Sequence, residues 1–348
     1  LVPLFRYDVT QLRANVTQIS HHFCGIGIRD AAKYLGVLVG PGKGEASWDP
    51  ALRKFQDRAG WWKALGAGML TSLQAFQCYI ASVLGFVSQL EPLPKEFSKV
   101  EGKVVSTLFP GPRGWITAAA MRDLKTASFP VDLPNLQLRS LAARARVCRH
   151  EDHANGGLRV DERRRALLQR LDTIRDIPDA TRSWIENGFL FSLQKAAESI
   201  RAAEVANRNE TSLLGRGGSE IQCREGWQRR AYAVLQQAHP TGALRRHLRK
   251  RLDRWRVDTL PGHRVERAIK VLRSLSRSAP PRVWAAVLKT LCNGWVTARR
   301  FQSRGSCIFG CPGEDSLEHY ARCTVVARFF EKHAGVRPSP NGDKLNEF

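Results

Sequence analysis

Three cysteines and one histidine fall within 17 residues near the end of the chain, as Cys307-x3-Cys311-x7-His319-x3-Cys323. Thiolate and imidazole are the donors a tetrahedral Zn²⁺ takes, and four of them close a structural site with no position left for catalysis. No other feature constrains the fold as much, because a segment this short can surround an ion only if its backbone turns tightly. Gly310, Pro312 and Gly313 supply such a turn around the first pair. Glu314-Asp315-Ser316 reads as a helix start, which predicts His319 and Cys323 at i and i+4 on one helical face, with Leu317 and Tyr320 left for packing. The expected cofactor is one structural Zn²⁺ held by Cys307, Cys311, His319 and Cys323. The competing reading is a chance cluster in a loop-to-helix turn.

The other cysteines, Cys24, Cys78, Cys148, Cys223 and Cys292, are scattered singly. That distribution fits a reduced compartment with one metal site better than a disulfide framework. Leu1–Thr10 lacks the charged region and cleavage site of a signal peptide. An intracellular protein, nuclear or cytoplasmic, is expected, and the opening at Leu1 rather than Met predicts a piece of a longer reading frame. Cys148-x-His150-x2-His153 has no clear fourth ligand and reads as linker surface. No charge occurs between Lys63 and Glu91, a stretch long enough to cross a bilayer. Gln74, Gln77 and Gln89 interrupt it and Gly66, Gly68 and Gly85 dilute it, so it reads as a buried helix, with no membrane expected as a partner.

Lys and Arg number 55 against 32 Asp and Glu, a formal net charge of +23. A surface of that sign attracts polyanions and gains from counterion release when phosphates are neutralised. The densest run covers residues 244–256. There Leu244, Leu248, Leu252 and Trp255 form a helical stripe, while Arg245, Arg246, Arg249, Lys250, Arg251, Arg254 and Arg256 take the other faces. Such a helix can dock on a core and still present cations to phosphates. Arg163-Arg164-Arg165 with Arg170, and Arg299-Arg300 with Arg304, add further patches. The bland alternative for any one patch is a solvated charged face. Trp61, Trp62, Trp227, Trp284 and Trp295 are able to stack on bases, although core packing accounts better for each of them.

Periodicity predicts a mainly α chain: helical bundles with a short N-terminal β-hairpin and a small C-terminal zinc knuckle. Two strands are expected at His22–Ile28 and Lys33–Gly40, turning at Arg29-Asp30. Asp49-Pro50 starts a helix carrying Leu52, Phe55 and Ala59, and a second apolar helix is expected over 70–90. Further helices are predicted near 95–107, 114–126, 136–149, 159–175, 179–206, 219–238, 241–256, 263–275 and 280–301. His150–Gly157 reads as the main linker. The expected divisions are a hairpin region over 1–45, helical domains over 46–150 and 151–300, the knuckle over 301–335, and a disordered tail over 336–348.

Two separated segments resemble one family. Arg299-Arg300-Phe301, Cys307-Ile-Phe-Gly-Cys311 and Glu314-Asp315-Ser316-Leu317-Glu318-His319-Tyr320 with Cys323 resemble the C-terminal zinc-binding segment of non-LTR (LINE-type) retrotransposon reverse transcriptases. Ala32-Lys33-Tyr34-Leu35-Gly36-Val37 resembles the Lys-Tyr-Leu-Gly segment that follows the polymerase palm in the same family. The resemblance implies that this segment is a hairpin near the primer terminus, with Lys33 near nucleic acid, and that a helical thumb follows. It also implies RNA or DNA partners, either template-primer or target DNA. The sequence departs from the family pattern in two ways. It holds no Tyr/Phe-x-Asp-Asp motif, and three residues separate His319 from Cys323 where four are common. Two-metal nucleotidyl transfer needs paired carboxylates for Mg²⁺, so polymerase activity would require an upstream palm. The chain is expected to be a nucleic-acid-binding C-terminal fragment. The alternatives are a zinc-stabilised helical interaction domain and a decayed reading frame without activity.

Overall fold

The computed structural model describes the chain apart from residues 4–7, 113, 155–158, 175–176, 208–225, 240–241, 254–260, 304, 321 and 336–348. The expected disordered tail, and Arg254, Trp255, Arg256 and Arg304, lie outside the described residues. The protein is mainly α-helical with one two-stranded hairpin. In chain order the elements begin with α1 (Val9–Ile19), β1 (Ala32–Tyr34), β2 (Val37–Val39), α2 (Asp49–Ala64), α3 (Met69–Ala75) and α4 (Val87–Leu90). Then come α5 (Phe97–Leu108), α6 (Ala118–Met121), α7 (Leu136–Ala154), α8 (Val160–Thr173), α9 (Asp179–Glu186) and α10 (Phe189–Ala206). The series ends with α11 (Trp227–Gln237), α12 (Ala243–Leu252), α13 (Pro261–Ser278), α14 (Pro281–Leu291), α15 (Leu317–Tyr320) and α16 (Thr324–Ala334).

Two compact units share these elements. One comprises 1–58, 79–100 and 135–240; the other comprises 59–78, 101–134 and 241–348.

In the first unit the hairpin forms within 32–39 itself, with Ala32 opposite Val39, Lys33 opposite Leu38 and Tyr34 opposite Val37. The expected partner strand His22–Ile28 is not a strand; a 3-10 turn occupies His21–Phe23. Lys33–Gly40 does not run straight because Leu35 and Gly36 both have positive φ, +45° and +93°. Two consecutive residues of that kind make the tight loop whose twist matches the strands it joins. Trp48, Phe55 and Phe97 are almost wholly buried, the two phenyl rings stack at 6.3 Å, and Trp48 Nε1 donates to the Pro92 carbonyl at 2.9 Å. A second core packs Leu138, Ala142 and Ala145 of α7 against Ala196, Ile200 and Ala203 of α10 and Trp227, Ala231 and Leu235 of α11. Alanines on all three facing helices let the backbones approach closely, and the Trp227 indole packs among them. Asn135 caps α7, its Oδ1 accepting from the amides of Gln137 and Leu138. That helix continues to Ala154, so His150–Ala154 is helix rather than linker. The predicted helix 179–206 is two helices, broken at Asn187-Gly188, where glycine weakens a helix by about 1 kcal/mol relative to alanine.

The apolar stretch after Lys63 is not one helix. After α3 come a π-turn at Phe76–Ile80, a 3-10 turn at Ala81–Leu84 and then α4. Among the described residues no helix is long and apolar enough to cross a membrane. The Tyr79 carbonyl, at this irregular stretch, accepts from Arg58 Nη1 at 2.5 Å and from Ser82 Oγ at 2.8 Å.

In the second unit Leu244, Leu248 and Leu252 of α12 are buried, as the stripe predicts, alongside Val265, Ala268, Ile269 and Leu272 of α13 and Leu288 of α14. Asp123 reaches the start of α12 and accepts from the Leu244 amide at 3.1 Å. Phe129 meets Trp284 edge to face at 6.0 Å.

Candidate metal centre and basic helix

The four predicted ligands converge. One ligand atom from each of Cys307, Cys311, His319 and Cys323 lies within 4.8 Å of the other three, and among the described residues this is the one group of metal-binding side chains so arranged. Sγ of Cys323 is 3.9 Å from Sγ of Cys307 and 3.6 Å from Sγ of Cys311. A tetrahedral ion bonded to sulfur at about 2.3 Å requires sulfurs about 3.8 Å apart, and the two separations bracket that value. His319 Nε2 sits 2.9 Å from Cys311 Sγ, closer than a shared ion would hold them. The cluster can therefore hold a metal ion after a small outward shift of one ring.

Backbone geometry brings the ligands together. The Gly310 amide donates to the Cys307 carbonyl at 2.9 Å, closing a turn that carries Gly310 at φ +84°. The chain then returns antiparallel, Ser306 bridging to Glu314 and the Cys307 amide donating to the Gly313 carbonyl at 2.8 Å. Ser316 Oγ accepts from the His319 amide at 3.1 Å, so the predicted helix start is present. The predicted i, i+4 pairing of His319 with Cys323 is not. Helix α15 ends at Tyr320, and Cys323 stands in extended backbone (φ −66°, ψ 125°) as the N-cap of α16. A continuous helix would fix the imidazole and thiol one turn apart; breaking it lets each approach the ion from its own direction.

Electrostatics differ among the thiols. Burial raises Cys307 above the ordinary thiol range. Burial also works against the Cys323 thiolate, but hydrogen bonds from the Val326 amide, the Cys311 thiol, the Val325 amide and the Cys307 thiol together bring Cys323 down. The three cysteines are themselves the module's core, with Tyr320 and Val326 packed against them.

Sequence reasoning gave Asp315 only as part of a helix start and Gly313 only as a turn residue, and missed what each supports. Asp315 is buried; its Oδ2 accepts from the Ala298 amide at 2.7 Å, its Oδ1 accepts from the Tyr320 hydroxyl, and its carbonyl accepts from the Arg299 amide at 3.2 Å. It ties residues 298–299 to the ligand helix. Burial, and then the bond to Asp315, raise Tyr320 well above the usual phenol range. Gly313 faces the His319 ring so closely that a side chain there would collide with it. A glycine two residues after a ligand was the available signal; the acidic hub left none beyond its helix-start position.

The structure divides the predicted cations. Arg246, Arg249 and Lys250 are exposed on the face of α12 opposite its leucines. Arg245 forms an ion pair with Glu266, and Arg251 donates to the Gly114 carbonyl, so both also hold the fold together. Arg299 lies 3.8 Å from both Glu314 and Glu318, and Arg300 is half-buried with its amide donating to the Thr297 carbonyl at 3.1 Å. Lys33 is exposed on β1. Trp227 and Trp284 are buried, whereas Trp61 is exposed. Cys148 is buried among Val160, Leu193 and Ala197, and burial pushes its thiol up to about 12, so it is a packing residue.

No protein family, curated protein or solved structure matches this chain.

Proposed function

We propose that this chain is the nucleic-acid-binding C-terminal portion of a protein of the non-LTR retrotransposon reverse transcriptase type, carrying one structural Zn²⁺. Cys307, Cys311, His319 and Cys323 would hold the ion, which supplies a crosslink between the turn after Cys307 and the start of α16 and no catalysis. Three thiolates with one imidazole are a donor set that favours zinc over the oxygen-seeking Mg²⁺ and Ca²⁺. The observation that carries the nucleic-acid reading is α12, which buries Leu244, Leu248 and Leu252 and leaves Arg246, Arg249 and Lys250 in solvent on a chain of net charge +23. The Lys33–Gly36 hairpin supports the family assignment. RNA or DNA backbone phosphates are the partners, and without a Tyr/Phe-x-Asp-Asp motif the chain holds nucleic acid rather than polymerising it.

The test is fluorescence anisotropy of a labelled duplex with purified protein across a salt series, with metal content measured on the same sample. Affinity falling steeply with salt, together with one equivalent of zinc, is the expected result. Binding indifferent to salt overturns the nucleic-acid reading, and a metal-free folded protein overturns the zinc assignment.

One observation favours a second reading, a zinc-stabilised protein-interaction domain. Ile308 and Phe309 project from the ligand loop at 69% and 45% exposure. In that case neutralising Arg246, Arg249 and Lys250 leaves partner binding intact.

A further inference from the structure

A cleft of about 370 Å³ in the first unit lies among the hairpin loop, α2 and the turn leading into α4. Its lining includes Gly36, Ser47, Lys54, Arg58, Ser82 and Phe86, and no acidic side chain. The volume falls in the range of small-ligand sites, about 300–1,000 Å³.

Four features set this cleft apart from an accidental groove. Arg58 is held in place: its Nη1 donates to the Tyr79 carbonyl and to Ser82 Oγ (3.2 Å), and the guanidinium lies 4.2 Å from the centre of the Tyr79 ring. Lys54, one turn earlier on α2, is exposed and forms no ion pair among the described residues. Phe86 stands at the cleft with half its surface in water, 51% exposed, and Tyr34 and Tyr79 are exposed nearby in the sequence of the same walls. Ser82 lies within the 3-10 turn that succeeds the π-turn, and Phe86 just beyond it; such irregularities are frequent at functional sites. Two cations, two hydroxyls and a solvent-facing aromatic without an acid form a surface for a phosphate with a flat, apolar group attached.

We propose that this cleft takes an unpaired nucleotide of a single-stranded nucleic acid, its base against Phe86 and its phosphate on Lys54 and Arg58. Stacking on an exposed aromatic ring tolerates any base, and a paired base cannot present its face to the ring. The inference rests on the nucleic-acid reading above and adds a preference for unpaired strands at a site separate from α12.

The experiment compares a labelled 12-nucleotide single strand, as RNA and as DNA, with a blunt duplex, using the full chain, Phe86→Ala and Lys54→Gln. Phe86→Ala should weaken single-strand binding about tenfold and leave duplex binding unchanged. Lys54→Gln should lower the single-strand salt slope by about 0.7. A strand carrying 4-thiouridine should crosslink to a peptide containing Phe86 or Lys54. Both side chains are exposed, so unchanged thermal unfolding is expected, and the crosslink on the unmodified protein does not depend on either variant. Single-strand binding unaltered in both variants, or lost together with duplex binding, overturns the cleft assignment while leaving the α12 reading in place. Failure of the unmodified chain to bind either form overturns both.

Discussion

Gly313 and the imidazole of His319 are in such close contact that a β-carbon at position 313 would come under 3.0 Å from Cε1, Nδ1 and Nε2 of the ring. The glycine is required by proximity. Gly310, in the same loop, differs: its φ of +84° disfavours a side chain, yet nothing lies within 4 Å of where one would begin. Gly313→Ala should therefore displace the ligand and weaken metal binding by about tenfold or more. Gly310→Asn, which tolerates positive φ, should cost far less. Competition with a chelating dye measures both, and equal affinities for Gly313→Ala and the unmodified protein would refute the argument.

Removing the metal should unfold the module locally. The cluster's buried members are the three thiols, so without an ion the segment has almost no apolar core of its own. Chelation, or His319→Ala, should abolish protection of amides in 305–323 in hydrogen exchange. Protection of α7, α10 and α11 should persist, because their core is carbon on carbon. Retained protection of the Cys307 amide after metal removal would contradict this.

On α12 the two faces should respond differently. Leu248 is fully buried, and Leu248→Ala should cost about 2–5 kcal/mol in denaturant unfolding. Replacing Arg246, Arg249 and Lys250 by alanine should leave stability nearly unchanged and lower the duplex salt slope by about 2–3. A large stability loss in the triple variant would mean that the exposed cations hold the fold.

His247 gives a pH signature. Its ring lies 2.8 Å from the Trp115 carbonyl, which can only accept, so the bonded nitrogen carries the proton. Burial lowers the pKa of His247 from its ordinary 6.5, the carbonyl opposes that, and Arg251 and Lys250 reinforce it. A depressed folded value means the unfolded chain binds the proton more tightly. The stability tied to neutral His247 is thus fully present above about pH 6.5 and is lost as pH falls below it. Urea midpoints for the unmodified protein and His247→Gln at pH 7.5 and 5.5 check this. The difference between them should shrink or reverse at the lower pH, and a constant difference would count against it.

Much was legible in the chain itself. The spacing of Cys307, Cys311, His319 and Cys323 named the four side chains that converge, because donor type and loop length act locally. The leucine stripe at 244, 248 and 252 named the buried face of α12, because helical periodicity is a property of neighbours in sequence. Mainly helical architecture with one short hairpin followed from the same periodicity. Tertiary structure decided where the regular patterns stop. It moved the hairpin turn to Leu35-Gly36 and divided the apolar stretch at Tyr79, where Arg58 captures a carbonyl. It ended α15 before Cys323 and sorted the arginines, sending Arg245 to Glu266 and Arg251 to Gly114 while leaving Arg246 exposed. The capture at Tyr79 and the sorting of Arg245 and Arg251 depend on partners 21 or more residues distant, and the end of α15 on how four metal-binding side chains converge. Periodicity and spacing carry no information about either, since they register what a residue is and who its chain neighbours are, and not what it meets after folding.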